Sequence, residues 1–437
     1  MNQQADSRGS LQKWTQIMLS DIHPRKKEST TQADLAWERL MALFKILLIG
    51  YFFIFMWMKL RVHFLGDHFP INSFFFDPAT KYSDFTEMVV LCSTLNPYNA
   101  NFGTPYPPFA CALYYLFSLG HVSWVYFIYI IVPIIMIFPI CYALIVKSGN
   151  VKSSIPIVFI YYFNYGILFS IDRGNFEIYT VAFLIIWSYL YDFSGNRYFW
   201  TRVLCLSAAI ASKIYPTLLL LVLIKEKKWK ELVCVGCTVV LMTFGSAIFF
   251  QGGALTALSN WTHAISIMQD AFSKDIQKVA YGLSLFGAFR TLLFLTMYQD
   301  ISAIGAFLYD FFVITALFGL AFWVFKTEKV RWEIIGVIVC SYLLLPQVSG
   351  NYKLFHLILL VPALIFSESD PRRSQRRITI LGLLLIPKNY LLVIMWINID
   401  SLLNPFLLLI LAMDFIAPNL VDRMTRTSDH GAVALSI

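Results

Sequence analysis

Charged residues are scarce. Only 14% of the 437 residues are Asp, Glu, Lys or Arg, against 58% hydrophobic, where a soluble domain carries roughly 25% charged residues. That scarcity, with a mean hydropathy of +0.66, excludes an ordinary soluble fold. Also missing is the alternation of apolar and polar residues, in segments of about ten, that a transmembrane β-barrel requires. No P-loop, Rossmann glycine pattern or HExxH motif occurs, so catalysis driven by nucleotide hydrolysis is not expected. Cysteine is sparse too. Of seven, Cys234 and Cys237 form a CxxC inside the apolar run LVCVGCTVVLM, with no second pair or nearby histidine to complete a metal site. Cys92 and Cys111 can meet in an oxidising compartment, though nothing in the sequence demands it. No cleavable signal peptide is expected, since the first 36 residues are polar and no small-residue cleavage site follows the first apolar run.

What the chain has in abundance is apolar runs near 20 residues, each long enough for a bilayer core of about 30 Å. The expected fold is an all-α polytopic membrane protein of about twelve spans, near 41–60, 107–120, 122–146, 153–171, 177–191, 202–224, 232–250, 302–325, 333–349, 354–367, 378–397 and 404–420. The net charge of +8 resides in Arg25-Lys26-Lys27, KEKKWK (225–230) and RRSQRR (372–377), which flank apolar runs. This is the pattern of cytoplasmic loops and not of a nucleic-acid surface. The organisation that follows is a cytoplasmic segment 1–36, a membrane domain 37–425 and a cytoplasmic tail 426–437. Two long outer loops, 61–106 and 251–301, carry short amphipathic helices, one of them 281–295 at the outer face. The simple span count leaves one conflict. It puts Lys147 and Lys152 outside and Asp172-Arg173 inside, whereas the charge rule prefers the reverse, which re-entrant hairpins at 107–120 and 202–224 would give.

Long outer loops are uncommon unless they serve a purpose. In the first, Asp67 and Asp77 read as solvated carboxylates. SDFTEMVVLCST (83–94) reads as a short amphipathic helix with Ser83 or Asp84 near its N-cap. Asp84 and Glu87 stand three residues apart on one face, and a carboxylate at the mouth of a helix bundle suits removal of a proton from an attacking hydroxyl. NPYNANFGTPYPPF (96–109) follows, stiffened by four prolines. In DRGNFEIY (172–179), Arg173, Asn175 and Glu177 bracket Gly174, and Glu177 opens a span. Lys213 falls in the middle of an apolar stretch, ahead of Tyr215, where an ammonium costs roughly 2.5–3.5 kcal/mol. Its partner is either a carboxylate such as Glu177 or an anionic ligand. Arg290 in the second loop, and Tyr352, Lys353 and His356 at the head of a late span, are candidates to clamp a phosphate. Taken singly, Lys353 also reads as snorkelling and His356 as a hydrogen-bonded helix residue.

The ordered series SDFTEMV, NPYNANFGTPYPPF, RGNFE, ASKIYPTLLLL with KEKKWK, GLSLFGAFRTLL and LPQVSGNYKLFHLILLVPAL resembles the multispanning glycosyltransferases of the GT-C fold, glycosyltransferase family 87 in particular, across most of 41–366. The resemblance implies a donor that is a polyprenyl-phosphate sugar, an acceptor that is a glycan hydroxyl, and Asp84 as catalytic base. It also implies that Arg173, Asn175, Glu177 and Lys213 support the active cavity. In the late segment the family's aromatic and histidine residues stand closer to the proline than Lys353 and His356 stand to Pro362. A cation among Arg290, Lys353 and His356 would stabilise the departing lipid phosphate, and the spaces between spans would hold the lipid tail among membrane lipids. No cofactor is implied, and no DxD or DxxD pair in the first loop calls for a metal. Size and composition further resemble bacterial serotype-converting glucosyltransferases, which decorate O-antigen with glucose from undecaprenyl-phosphate glucose; the expected location is the bacterial inner membrane, with both termini cytoplasmic by the span count and the active site facing the periplasm. The rival readings are an O-antigen polymerase or ligase and a lipid-linked sugar flippase.

Overall fold

The computed structural model describes residues 30–66, 81–98, 103–120, 122–274, 282–297, 303–388, 393–394 and 397–418. Most of the two expected cytoplasmic end segments, and Asp67 and Asp77, lie outside these residues. The chain is built from helices: α1 (Thr30–Leu65), α2 (Ser83–Ser93), α3 (Pro108–Ser118), α4 (Val122–Ser148), α5 (Ser154–Tyr162), α6 (Tyr165–Arg173), α7 (Glu177–Leu190), α8 (Asn196–Ser212) and α9 (Leu220–Lys225). There follow α10 (Trp229–Ala247), α11 (Gly253–Lys274), α12 (Leu285–Met297), α13 (Ala303–Lys326), α14 (Arg331–Leu344), α15 (Val361–Phe366), α16 (Pro371–Leu385) and α17 (Asp400–Ile416). Tight 3₁₀ turns at Tyr215–Leu219 and Asn351–Leu360 lead into α9 and α15, and a pair of two-residue strands, β1 (Val393–Ile394) and β2 (Ile397–Asn398), runs antiparallel before α17.

Helical structure underlies each expected apolar stretch at least in part, although 378–397 is helical only to Leu385 and carries β1 near its end, and the protein is an all-α polytopic membrane protein. Among the described residues, α1, α4, α10 and α13 are each long and apolar enough to cross a membrane, and α5 with α6 forms a fifth such unit bent by 48°. Asn164 sits at that bend and joins the halves. Its amide donates to the Ile160 carbonyl (2.9 Å) and its oxygen accepts from the Ile167 N–H (3.1 Å), supplying one of the bonds a helix start otherwise lacks. The long helices turn large apolar side chains outward, among them Phe52, Phe53, Phe318 and Phe322, which is stable only against lipid.

The helices run between two ends of different chemistry. One end is laced by arginines. Arg377 donates to Asp414 (2.5 Å), Glu368 (2.5 Å) and Glu333 (2.9 Å). Arg202 makes two bonds of 3.0 Å to Glu231, and Arg331 reaches Glu226 and Asp192. The start of α1 belongs here too, since Arg39 donates to the Ile365 carbonyl and Lys147 lies over the Phe366 ring. The opposite end holds Asp84, Arg173, Glu177 and the 3₁₀ segment from Asn351, and is called the site end below.

Two expected spans are corrected by this arrangement. Helix α3 has 11 residues and is therefore only about 16 Å long, half of a bilayer core. It stays at the site end beside α2. The stretch 202–224 folds back on itself. Arg202 pairs with Glu231, shortly after Lys225, so the chain that leaves the arginine-rich end at 202 has returned there by 225. The apex is Lys213, in extended backbone (φ −149°, ψ 132°), followed by the 3₁₀ turn that contains Pro216. Removing one crossing and doubling another moves Lys147 and Lys152 to the arginine-rich end and Asp172-Arg173 to the site end. The charge rule favoured this polarity, and the simple count had it reversed.

Candidate functional site

The site is assembled around the turn between α6 and α7. Helix α6 ends at Gly174 in the left-handed region (φ +67°), where glycine alone is unstrained. An ideal Cβ there would lie 2.5 Å from the Cβ of Phe85 on α2, so the missing side chain also lets α2 dock against the turn. Gly174→Ala is expected to push α2 off its seat and lower both the thermal midpoint and activity, as differential scanning and a transfer assay would register. An unchanged midpoint would mean that the approach of α2 is not needed.

With α2 seated, Asp84 in its first turn meets the turn's polar side chains. Arg173 donates to Asp84 Oδ1 (2.5 Å) and Asn175 Nδ2 donates to Oδ2 (2.8 Å). The Tyr82 N–H closes the junction on the Asp172 carbonyl (2.8 Å). Asn175 also works backwards along the chain, since its Oδ1 accepts from the Glu177 N–H (3.1 Å). One amide side chain thus ties the part-buried Asp84 carboxylate to the backbone of the residue that carries the buried one. The Asp84 side chain keeps 18% of its surface exposed while Glu177 keeps none.

Glu177, at the start of α7, is the hub of a second layer. Its Oε2 accepts from the Tyr215 hydroxyl and from His356 Nε2 (2.9 Å). Opposite an ionised carboxylate, which only accepts, Nε2 is the donor, while Nδ1 and the Tyr342 hydroxyl share a hydrogen bond of 2.8 Å. Lys213 places its ammonium 3.7 Å from Glu177 Oε1 and 3.9 Å from the centroid of the Tyr106 ring. The Lys353 ammonium lies 4.7 Å from the centroid of Tyr215 and, among the described residues, forms no ion pair within 4 Å. Asp84 is within electrostatic reach of Lys213, and Tyr352 within hydrogen-bonding reach of Asn175. Among the described residues the layer therefore brings Arg173, Lys213 and Lys353 to the carboxylates of Asp84 and Glu177.

Of the residues singled out from sequence, Asp84, Arg173, Asn175, Glu177, Lys213, Tyr215, Tyr352, Lys353 and His356 come together. Glu87 does not, being exposed on α2. Arg290 is buried on α12 with its guanidinium 5.7 Å from the Phe286 ring centroid. Its helix packs on α17, and the segment before it is pinned by Leu283 N–H to the Ser349 carbonyl and Ser284 Oγ to the Gln347 carbonyl. The helix of Arg290 thus follows a segment that is pinned just ahead of Tyr352 and Lys353. Lys353 is buried and not snorkelling.

Three participants were missed. Tyr342 looked like one more apolar residue of α14, and Tyr106 like part of a stiff loop. The third is Asp400, which accepts from Asn351, itself bonded to Asn404 (3.1 Å). This buried clamp fixes the residue just before Tyr352. An acid between two apolar runs, as in NIDSLL, is the sequence signal for it.

Beside α2 lies a cavity of about 490 Å³ lined by Tyr82, Phe85, Thr86, Tyr126, Phe127, Ile130 and Ile171. A polar, ion-paired cluster at one end of a lipid-facing helical bundle, with an apolar cleft at its side, defines a polytopic membrane protein with its buried charges gathered at that end. The family is narrower still. The model of glycosyltransferase family 87 matches residues 104–346, more than half of the chain, and the protein belongs to that family. The match takes in Arg173, Asn175, Glu177, Lys213, Tyr215 and Arg290, while Asp84, Tyr352, Lys353 and His356 lie beyond its ends. No curated protein and no solved structure matches the chain.

Proposed function

We propose that this glycosyltransferase moves a hexose, glucose first among the candidates, from a polyprenyl-phosphate sugar to a hydroxyl of a glycan acceptor such as O-antigen, with inversion at the anomeric carbon. The site end faces the periplasm, and both termini lie in the cytoplasm at the arginine-rich end of a protein of the bacterial inner membrane. Asp84 takes the proton of the acceptor hydroxyl as that oxygen attacks the anomeric carbon. The sugar–phosphate bond breaks with its electrons passing to the lipid phosphate, and Lys353 with Lys213 holds the charge that departs. No step is routed through a metal.

The observation that carries this reading is the Lys353 ammonium, buried beside the Glu177–Lys213 pair and without an ion pair within 4 Å among the described residues. A phosphodiester would supply it an anion. Asp84 fits the base better than Glu177 because it alone of the two keeps an exposed edge. Its two bonds to Arg173 and Asn175 leave lone pairs for an incoming hydroxyl.

Purified enzyme in lipid nanodiscs, offered polyprenyl-phosphate glucose, mannose or arabinose with a glycan acceptor, should transfer from one of them. Transfer from nucleotide sugars alone would overturn the donor assignment. Lys353→Met should lower kcat/KM for the lipid donor by roughly 10- to 100-fold, the value of one charge-assisted contact of about 1.5–3 kcal/mol. An unaltered kcat/KM would remove Lys353 from the phosphate site.

A further inference from the structure

We propose that Cys92 and Cys111 are joined by a disulfide in the native protein, bracing the helix that presents Asp84 against α3. The proposal rests on the reading that the site end faces an oxidising compartment. Helices α2 and α3 are short and pack against each other at that end. Cys92 closes α2 and Cys111 opens α3. Both side chains are fully buried in one apolar cluster between the two packed helices, each within interaction reach of the other, as separate thiols in this structure. The Tyr98 hydroxyl donates to Cys111 Sγ (3.4 Å), and the Cys111 thiol faces the Tyr106 carbonyl (3.6 Å).

The bridge would close a segment whose described part is already folded on itself. Tyr98 donates through its hydroxyl to the Tyr106 carbonyl (3.0 Å), the Thr104 N–H donates to the Pro97 carbonyl (2.9 Å), and the Thr104 hydroxyl reaches Met88 on α2. The segment starts from the helix of Asp84 and ends with Tyr106, whose ring lies against the Lys213 ammonium. A covalent tie at 92 and 111 therefore fixes one wall of the site at both edges.

The chemistry is thiol–disulfide exchange with a protein or small-molecule disulfide as oxidant. One cysteine thiolate attacks the oxidant, forming a mixed disulfide and releasing the oxidant's first thiol. The second cysteine then attacks the mixed disulfide, the Cys92–Cys111 bond forms and the oxidant leaves as its dithiol. Two electrons and two protons pass from the cysteine pair to the oxidant. Burial of both sulfurs places the exchange before α3 settles on α2, during folding.

Differential alkylation tests the bond. Membranes are denatured in one maleimide without reductant, then reduced and labelled with a second of different mass. Cys92 and Cys111 should carry the second label, while the exposed Cys237 carries the first. Reductant should also lower the thermal midpoint of the wild type and leave that of the Cys92→Ala, Cys111→Ala double variant unmoved. First label on Cys92 and Cys111 overturns the disulfide. Orientation is read separately from Glu87→Cys, at an exposed position on α2, with a membrane-impermeant maleimide on intact cells. Free thiols with Glu87→Cys labelled overturn the bond alone, and free thiols with Glu87→Cys shielded overturn the outward-facing site as well.

Discussion

Asp84→Asn is expected to lower the turnover of sugar transfer by roughly 10²- to 10⁴-fold, the range that a positioned general base contributes. Asparagine keeps the shape but cannot take a proton. It also replaces one acceptor oxygen with an NH₂, so one of the bonds from Arg173 and Asn175 becomes a clash of donors. Binding of the lipid donor, measured with a non-transferable analogue, should stay within a few-fold of wild type, because the phosphate is held by the lysine layer. Equal loss of donor binding and turnover would assign Asp84 to architecture. Undiminished turnover would take it out of the mechanism.

The second large effect is on stability. Glu177 has no exposed surface and accepts from Tyr215 and His356 beside the Lys213 ammonium. Glu177→Gln leaves Lys213 in an apolar setting without its paired carboxylate, and breaking a buried pair from one side costs about 3–5 kcal/mol. Thermal unfolding in detergent should show a large drop in midpoint. The Glu177→Gln, Lys213→Met double variant should recover part of it, since the orphaned charge is then gone. A double variant as unstable as the sum of its singles would mean that Glu177 and Lys213 are not coupled and that the pair is not what holds this layer.

Much of this layer was legible because lipid makes polar residues expensive. Glu177 and Lys213 stand out in an apolar sequence for the same reason that they need each other, and the structure pairs them at 3.7 Å. The fold class was legible for a related reason, since twenty-residue apolar runs have few other uses. What hydropathy does not encode is direction. The run that became α3 is greasy enough for a span and too short for one, and the run 202–224 hides a reversal at Lys213-Ile214-Tyr215. Those two segments set the polarity of everything between them. Contacts such as that between Asp84 and Arg173, 89 residues apart in sequence, bring their ends of the chain to the same side.

Glu87 shows the limit of spacing rules. Three residues on a helix share a face only loosely. Helix α2 buries Phe85, Met88 and Cys92, and Glu87 falls about 60° further from that edge than Asp84 does. Tyr342 and Asn351 were hidden for the opposite reason. Their chemistry depends on His356 and Asp400, neighbours supplied by the tertiary fold.

A one-step displacement, with Asp84 activating the acceptor and the lysines receiving the phosphate, inverts the anomeric centre. Proton NMR of the product formed from a donor of known anomeric configuration reads this outcome. The opposite configuration in the new linkage is the predicted result. Retention would require a second displacement through a covalent sugar–enzyme intermediate and would contradict the role assigned to Asp84.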